Sequence, residues 1–311
     1  MNILLLLLIG ASMFSVNGIG EDLSVFRTPF VASDELTRIK FSFYPEFNVL
    51  YSDGDYRGMF WSNPLNFSIS VPVTRGFTLM VGNCERFNQA FDIYSEDSLL
   101  QVHFFGEGGI EDIYLLLSKN FGIGELAVSG SYLFGNSWEI WTYNMANHSL
   151  VDTFTYKYEG RVFSAGFRHK LFSVAYEGFG TVEATQADVD NDTTFDLPER
   201  LSLGITPQIG PWHAEFMYEH SFGSEDAVSP NRFMVGVRRG VYGFAYRFNP
   251  WYIDGVHEHG LNIDASLRLR GVGSASLGLY LRYRNREDLR EFQIVPSVHL
   301  VLYEIFTRRR K

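Results

Sequence analysis

The densest set of oxygen donors in this sequence is the run Asp188-Val189-Asp190-Asn191-Asp192, continued by Asp196 and Glu199. Counted from Asp188, acids stand at positions 1, 3, 5, 9 and 12. That is calcium-loop spacing, in which alternate residues supply oxygens and a distal Glu completes the shell. Thr193 occupies the place where such a loop takes Gly for its sharp turn, and strand patterns rather than helices flank it. The run therefore reads as an acidic loop, with Ca2+ the one cofactor it suggests. His257 and His259 share one face of a strand, a pairing that can hold zinc, but no third ligand is identifiable. The sole cysteine, Cys84, has no Cys or His at metal spacing and reads as a strand thiol. His148-Ser149 lacks an orienting acid, so no nucleophile motif stands out and an enzyme is not expected. Asn66, Asn147 and Asn191 match the glycosylation sequon, a pattern that would carry no meaning in a bacterial protein.

A second set of charges is defined by periodicity. From 261 to 269, Leu261, Ile263, Ala265, Leu267 and Leu269 alternate with Asn262, Asp264, Ser266 and Arg268. After the turn Gly271-Val272-Gly273, Ala275, Leu277, Leu279, Leu281 and Tyr283 alternate with a mostly polar set that ends in Arg282 and Arg284. One face of this hairpin is apolar and the other polar. The same logic puts His213, Glu215, Met217 and Glu219 on one face, opposite Trp212, Ala214, Phe216 and Tyr218, and puts Ala245 and Arg247 together. In a barrel facing lipid, the polar face lines the lumen. Glu215, Glu219, Arg247, Asp264, Arg268, Arg282 and Arg284 are thus the candidate lumen-lining residues, expected to pair across neighbouring strands.

Alternation of this kind predicts fourteen strands, near 38–51, 64–72, 77–88, 111–119, 124–136, 156–168, 171–181, 195–207, 211–221, 231–238, 241–250, 257–270, 274–285 and 291–304. One short helix is conceivable over Ser98–Phe105, inside a long connection. Short connections, such as Thr74-Arg75-Gly76 and His169-Lys170, alternate without exception with long ones, such as 89–110 and 137–155. In an antiparallel meander this puts all short turns at one end. The short turns carry Arg and Lys and the long loops carry Asp and Glu. The expected fold is all-β: a transmembrane antiparallel up-and-down β-barrel of about fourteen strands, with short periplasmic turns and long extracellular loops. Aromatics crowd the strand ends, among them Phe134, Trp138, Trp141, Tyr143, Trp212 and Trp251, as a water–lipid girdle would require. Pro45 and Pro296 lie in the first and last strands, where proline cannot donate to a ladder, so irregular pairing is expected at the closure.

Composition agrees with an exported barrel. Aromatic residues make up 16% and charged residues 20% of the chain, and the net charge is −10. Such acidity argues against nucleic acid as a partner. Residues 1–18 hold an apolar run followed by Val16-Asn17-Gly18 and read as a signal peptide for the Sec pathway. No later apolar run reaches the roughly 18 residues that a spanning helix needs. The expected organisation is a signal peptide over 1–18, a short N-terminal periplasmic or plug segment over 19–37, the barrel over 38–306 and a basic tail over 307–311.

Three stretches resemble FadL-type outer-membrane proteins, the family of long-chain fatty acid and aromatic hydrocarbon transporters that includes PorV-like relatives. They are Gly108-Gly109-Ile110 through Leu115-Leu116-Leu117 and on to Phe134-Gly135, then Glu258-His259-Gly260-Leu261, and then Arg282-Tyr283-Arg284 with Leu289-Arg290-Glu291. The resemblance implies a fourteen-stranded barrel, an N-terminal hatch in the lumen and passive transport of small hydrophobic molecules across the bacterial outer membrane. About Ile19 to Glu35 is the stretch at hand for a hatch. The partners so implied are outer-membrane lipid, lipopolysaccharide, the barrel-assembly machinery and hydrophobic small molecules. The alternatives are a non-transporting surface or secretion-accessory barrel that docks a partner through its acidic loops, and a secreted soluble β protein.

Overall fold

The computed structural model describes residues 21–22, 29, 36–52, 55–62, 65–74, 76–96, 100–145, 148–187, 192–222, 231–250, 257–269, 272–286 and 289–303. The expected signal peptide, most of 19–37 and the basic tail lie outside them. Fourteen antiparallel strands close into one barrel. The first three are each in two pieces: β1 (Arg38–Phe43 and Pro45–Ser52), β2 (Asp55–Ser62 and Asn66–Thr74) and β3 (Phe77–Asn88 and Phe91–Glu96). Three long ones follow: β4 (Leu100–Asn120), β5 (Gly124–Met145) and β6 (His148–His169). Then come β7 (Phe172–Gln186), β8 (Asp192–Asp196, Glu199–Ile205 and Gln208–Ile209), β9 (Trp212–Phe222) and β10 (Asn231–Arg239). The series ends with β11 (Tyr242–Pro250), β12 (His257–Leu269), β13 (Gly273–Arg286) and β14 (Leu289–Tyr303).

Each strand pairs with its sequence neighbours, and β14 pairs with β1 to close the wall. The two faces follow the period-two code. Ile113, Leu115 and Leu117 of β4 are exposed on the outer face, while Asp112 and Ser118 are buried inside. Closure matters because a bilayer offers no water to unpaired N–H and C=O groups.

Strand length divides the barrel. β9, β10 and β11 have 11, 9 and 9 residues, which suits a bilayer crossing of about 9–11 tilted residues. β4, β5 and β6 have 21, 22 and 22 and must project well past the bilayer at the loop end. Two expected connections, 89–110 and 137–155, are therefore largely strand, and so is Leu100–Phe105, where a helix was conceivable. Above the membrane the face code inverts: Val102 and Phe104 are buried inside, with Trp141 and Tyr143 packed edge-on against Phe104 at 5.1 and 5.6 Å. Those two rings belong to an inner cluster rather than to a lipid girdle.

The closing seam carries the expected irregularity. Pairs run from Arg38↔Tyr303 to Phe43↔Val298 and resume at Phe47↔Ile294 in the same register. That register sets Pro45 opposite Pro296. Rungs are lost between them, yet no residue is inserted.

β3 behaves differently from the other strands. A bulge at Arg86 interrupts its register with β4 between Glu85 and Phe87. Beyond it, Arg86, Phe87, Asn88 and Gln89 are all buried, so both faces of the strand are covered. Phe87 packs inside the barrel against Ile110, Leu133, Tyr158 and Val182. Glycines let the wall crease here. Gly108 holds φ +130, and a Cβ on Gly135 would lie 2.0 Å from the Gly109 carbonyl oxygen.

Candidate functional site

The bend of β3 opens the wall. From Phe67↔Asn83 to the short turn, β2 and β3 form a ladder with one register shift, between Pro72 and Thr74. Above that point, the outer half of β2 is paired with β1 alone among the described residues. The edge of β3 freed at Phe87 and Asn88 is paired instead with the two-residue strand Glu21–Asp22. Two asparagines finish the broken ladder: Phe67 N donates to Asn83 Oδ1 at 3.0 Å, and Glu85 N donates to Asn66 Oδ1 at 3.4 Å. Such amides satisfy backbone donors that would otherwise face lipid.

A cavity of about 450 Å³ adjoins this fork. It is lined from β2 and β3 by Asn66, Phe67, Asn83 and Cys84, and from the far side by Arg247, Tyr280 and Gln293. Phe67 shares the outer face with Ile69, Val71 and Val73, each at least 39% exposed, and yet lines the cavity. Phe67 is thus shared by the cavity lining and the outer face. Beside the opening the outer face is apolar, with the Phe47 and Phe60 rings 4.8 Å apart. The axial direction is obstructed on the β3–β8 side. There the Phe87 cluster packs on the inner side of the wall, and Arg86 reaches across to Glu177 of β7 with two bonds of 3.0 and 2.6 Å. Pro29 of the N-terminal segment is buried against the same wall, beside Glu177, Arg200 and Glu219.

A belt of buried charge runs round the rest of the interior. Arg200 of β8 lies 4.0 Å from Glu177. Ser202 donates to Glu219, which pairs with Arg232 of β10 at 2.8 Å. Arg232 Nε donates to Asn249 Oδ1 at 2.7 Å, and Asn249 Nδ2 to Glu258 Oε1 at 3.5 Å. Arg284 then joins Glu258 and Glu291, at 2.7 and 2.9 Å, and Gln293 joins Glu46 at 2.6 Å. Buried charges persist in low dielectric only when paired and hydrogen-bonded in this way.

Among the residues singled out from sequence, Glu219, Arg282 and Arg284 belong to this belt, Arg282 lying 3.9 Å from Glu258. Asp264 pairs with Arg238 of β10 at 2.5 Å, reaching over Gly243 of the intervening strand β11, where a Cβ would collide with its carboxylate. Arg247 lies over the Tyr280 ring at 5.3 Å and faces the cavity. Glu215 and Arg268 are exposed nearer the short-turn end. Asp188 and Asp190 lie outside the described residues. Asp192 and Asp196 sit in an extended stretch, about 13 Å apart at the usual strand rise, with Glu199 on the next stretch. One ion could take only one of that pair. His259 is bonded to Tyr246 at 2.7 Å on the outer face. Sequence reasoning passed over Arg86, Glu177, Arg200, Arg232 and Glu258. The last four are legible from inward parity, but Arg86 owes its place to a bulge that alternation does not announce.

No protein-family profile matches the sequence, and no curated protein matches it. Solved structures do match. A Pseudomonas aeruginosa FadL homologue superposes with a TM-score of 0.60 at 10% identity, covering 96% of this chain and 98% of its own. The Pseudomonas putida toluene transporter TodX gives 0.60 at 9%, covering 91% and 93%. At such identities the likeness speaks for architecture, and the architecture is the FadL-type outer-membrane barrel.

Proposed function

We propose that this chain is a passive outer-membrane passage for small hydrophobic molecules, which exchange between lumen and lipid sideways through the fork between β2 and β3. The observation that carries this reading is the placing of Phe67 on the outer face and in the cavity at once. An axial pore needs a clear lumen, whereas here the bend of β3 brings the Phe87 cluster into the β3–β8 side of the lumen and parts β3 from β2. The fold shared with a toluene transporter supports the same reading. On this reading the N-terminal segment beside Pro29 acts as a plug. The chain is exported by the Sec pathway, inserted by the barrel-assembly machinery and seated in outer-membrane lipid and lipopolysaccharide.

The β2–β3 register supplies a test. Continued one rung past Phe67↔Asn83, it sets Asn66 opposite Cys84. Asn66→Cys therefore places two thiols where a disulfide would staple the fork. Cells carrying this variant in the outer membrane should take up labelled toluene when reduced and lose that uptake when oxidised. Adding Cys84→Ser should remove the redox dependence. Equal uptake by stapled and reduced cells would remove the lateral route.

A further inference from the structure

Past the bilayer, the inner face of the β5–β6 ribbon carries aromatic rings and two acids. Register sets Glu139 opposite Phe154 and Trp141 opposite Asp152. All four side chains share the inner face, so the acids take one diagonal of a square and the rings the other. The two rings meet edge-on, with centroids 5.1 Å apart and planes at 65°. Phe104 of β4 packs against Trp141 at 5.1 Å. Beside Glu139, β4 brings only Gly106 to the rung, which adds no side chain there. Glu139 is buried. Its one bond among the described residues comes from the Trp141 indole, Nε1 donating to Oε2 at 3.0 Å. Burial pushes its carboxyl above the ordinary value, and the indole bond offsets only part of that rise. Neither Glu139 nor Asp152 has an ion-pair partner among the described residues. The nearest Lys or Arg along β6 is Lys157, which stands on the outer face and pairs with Glu159 at 2.5 Å.

A buried carboxylate without a counter-charge is costly, and a second acid nearby adds to the cost. A bound cation relieves both. The rest of the patch selects which cation. Calcium takes about six to eight oxygens, and two carboxylates set on either side of a ring pair do not supply them. Nor does any group of three or more acids, histidines or cysteines gather to hold a metal among the described residues. A quaternary ammonium asks for no oxygen shell. Its charge is spread over methyl groups that pack on ring faces, Trp being the best of these, while carboxylates balance the charge. We propose that the projecting ribbon holds a site for small quaternary ammonium ions, of the size of choline, between Glu139, Trp141, Asp152 and Phe154. The site shares no residue with the cavity at the fork and does not depend on the lateral route.

Two probes isolate the charge: choline and dimethylbutanol, its neutral carbon isostere. Titration calorimetry of the full chain in an uncharged sugar detergent should show choline binding about tenfold more tightly than the alcohol. Glu139→Gln keeps an oxygen for the indole bond and removes the charge. Combined with Asp152→Asn, it should cut choline affinity about tenfold and leave the alcohol where it was. Glu159→Gln, on the outer face of the neighbouring strand, should change neither. The comparison of probes on the parent chain needs no variant, and is decisive if the double variant fails to fold. Glycerophosphocholine distinguishes the source of the ammonium: binding tighter than choline assigns a lipid headgroup, weaker binding assigns the free cation, and both uphold the site. Equal binding of choline and the alcohol would overturn it, and so would no binding of choline. Displacement of choline by equimolar calcium, or undiminished choline affinity in the double variant, would overturn it as well.

Discussion

Two of the seams that lose rungs in this barrel, β14–β1 and β2–β3, end differently. Between β14 and β1 the loss is local: Phe43↔Val298 and Phe47↔Ile294 keep one register, with Pro45 facing Pro296 in the gap. Between β2 and β3 the loss begins at Asn66 and Asn83 and is not recovered among the described residues. The distinction lies in where the donors go. Proline has no N–H, so at the first seam two donors are simply missing, and the strands hold one register with no N–H left unsatisfied. At the second seam the donors exist and are diverted to asparagine side chains, which end a ladder rather than bridge it. A membrane barrel can thus skip rungs by deleting donors, or part its strands by capping them.

The strongest way to break this contrast is to release what holds β3 away from β2. Arg86→Ala leaves Glu177 facing the lumen without its bidentate partner. Breaking a buried pair by removing one member costs about 3–5 kcal/mol. Urea unfolding in lipid vesicles should show that loss, and Arg86→Met with Glu177→Leu should recover much of it. An Arg86→Ala barrel as stable as the parent would mean that the pair does not pin the bend. Next in size is Gly135→Val. The added side chain meets the Gly109 carbonyl oxygen at the crease, and overpacking of that kind costs about 1–3 kcal/mol. The matching change Gly130→Val, in the same strand but 3.4 Å from its nearest neighbour, should cost less. Equal costs at the two positions would argue that the crease is not a tight approach.

Asn83→Ala comes third. It withdraws the acceptor from Phe67 N and the donor from Glu111, at 3.0 and 3.2 Å, and should cost about 1–2 kcal/mol. Hydrogen exchange at Phe67 should rise by a matching factor while exchange at Ile69, deeper in the ladder, stays unchanged. Faster exchange at both would show the whole β2–β3 ladder loosening, and the asparagine would not be a local cap.

The fourteen strands were legible because the bilayer imposes one rule on all of them, apolar outside and polar inside, at period two. Where the bilayer stops, the rule stops. In β4 the inward side chains change from Asp112 and Ser118 within the membrane to Val102 and Phe104 above it. Outside lipid the projecting sheet behaves as a soluble one and buries its apolar face inward, so segments 100–106 and 137–145 looked like connections. The site was legible only in half. Inward charges such as Glu219 and Arg284 follow from parity, but pairing that spans the lumen, as Arg86 to Glu177, depends on a bulge. A single inserted residue reverses every later side chain, and it has no period by which to be seen. Gly108 and Gly109 stood in the sequence as the one hint of the crease.

The closing seam offers the mildest and most pointed test. If its gap exists because donors are absent, Pro45→Val with Pro296→Val supplies two N–H groups to facing positions in an unbroken register. They can pair with each other's carbonyls, so the double variant should insert and unfold within about 1 kcal/mol of the parent, β-branched residues being well suited to a strand. Pro45→Val alone should be the worse of the two, because it regains one of the rung's two bonds and leaves the residue 45 carbonyl facing a proline that has no N–H to give. The order matters more than the size. If the single variant proves more stable than the double, the prolines are not complementary partners. The seam would then be held by what flanks them, such as the bond from His299 to Ser42 at 2.9 Å and the contact of Tyr44 with His299, and not by the matched loss of donors.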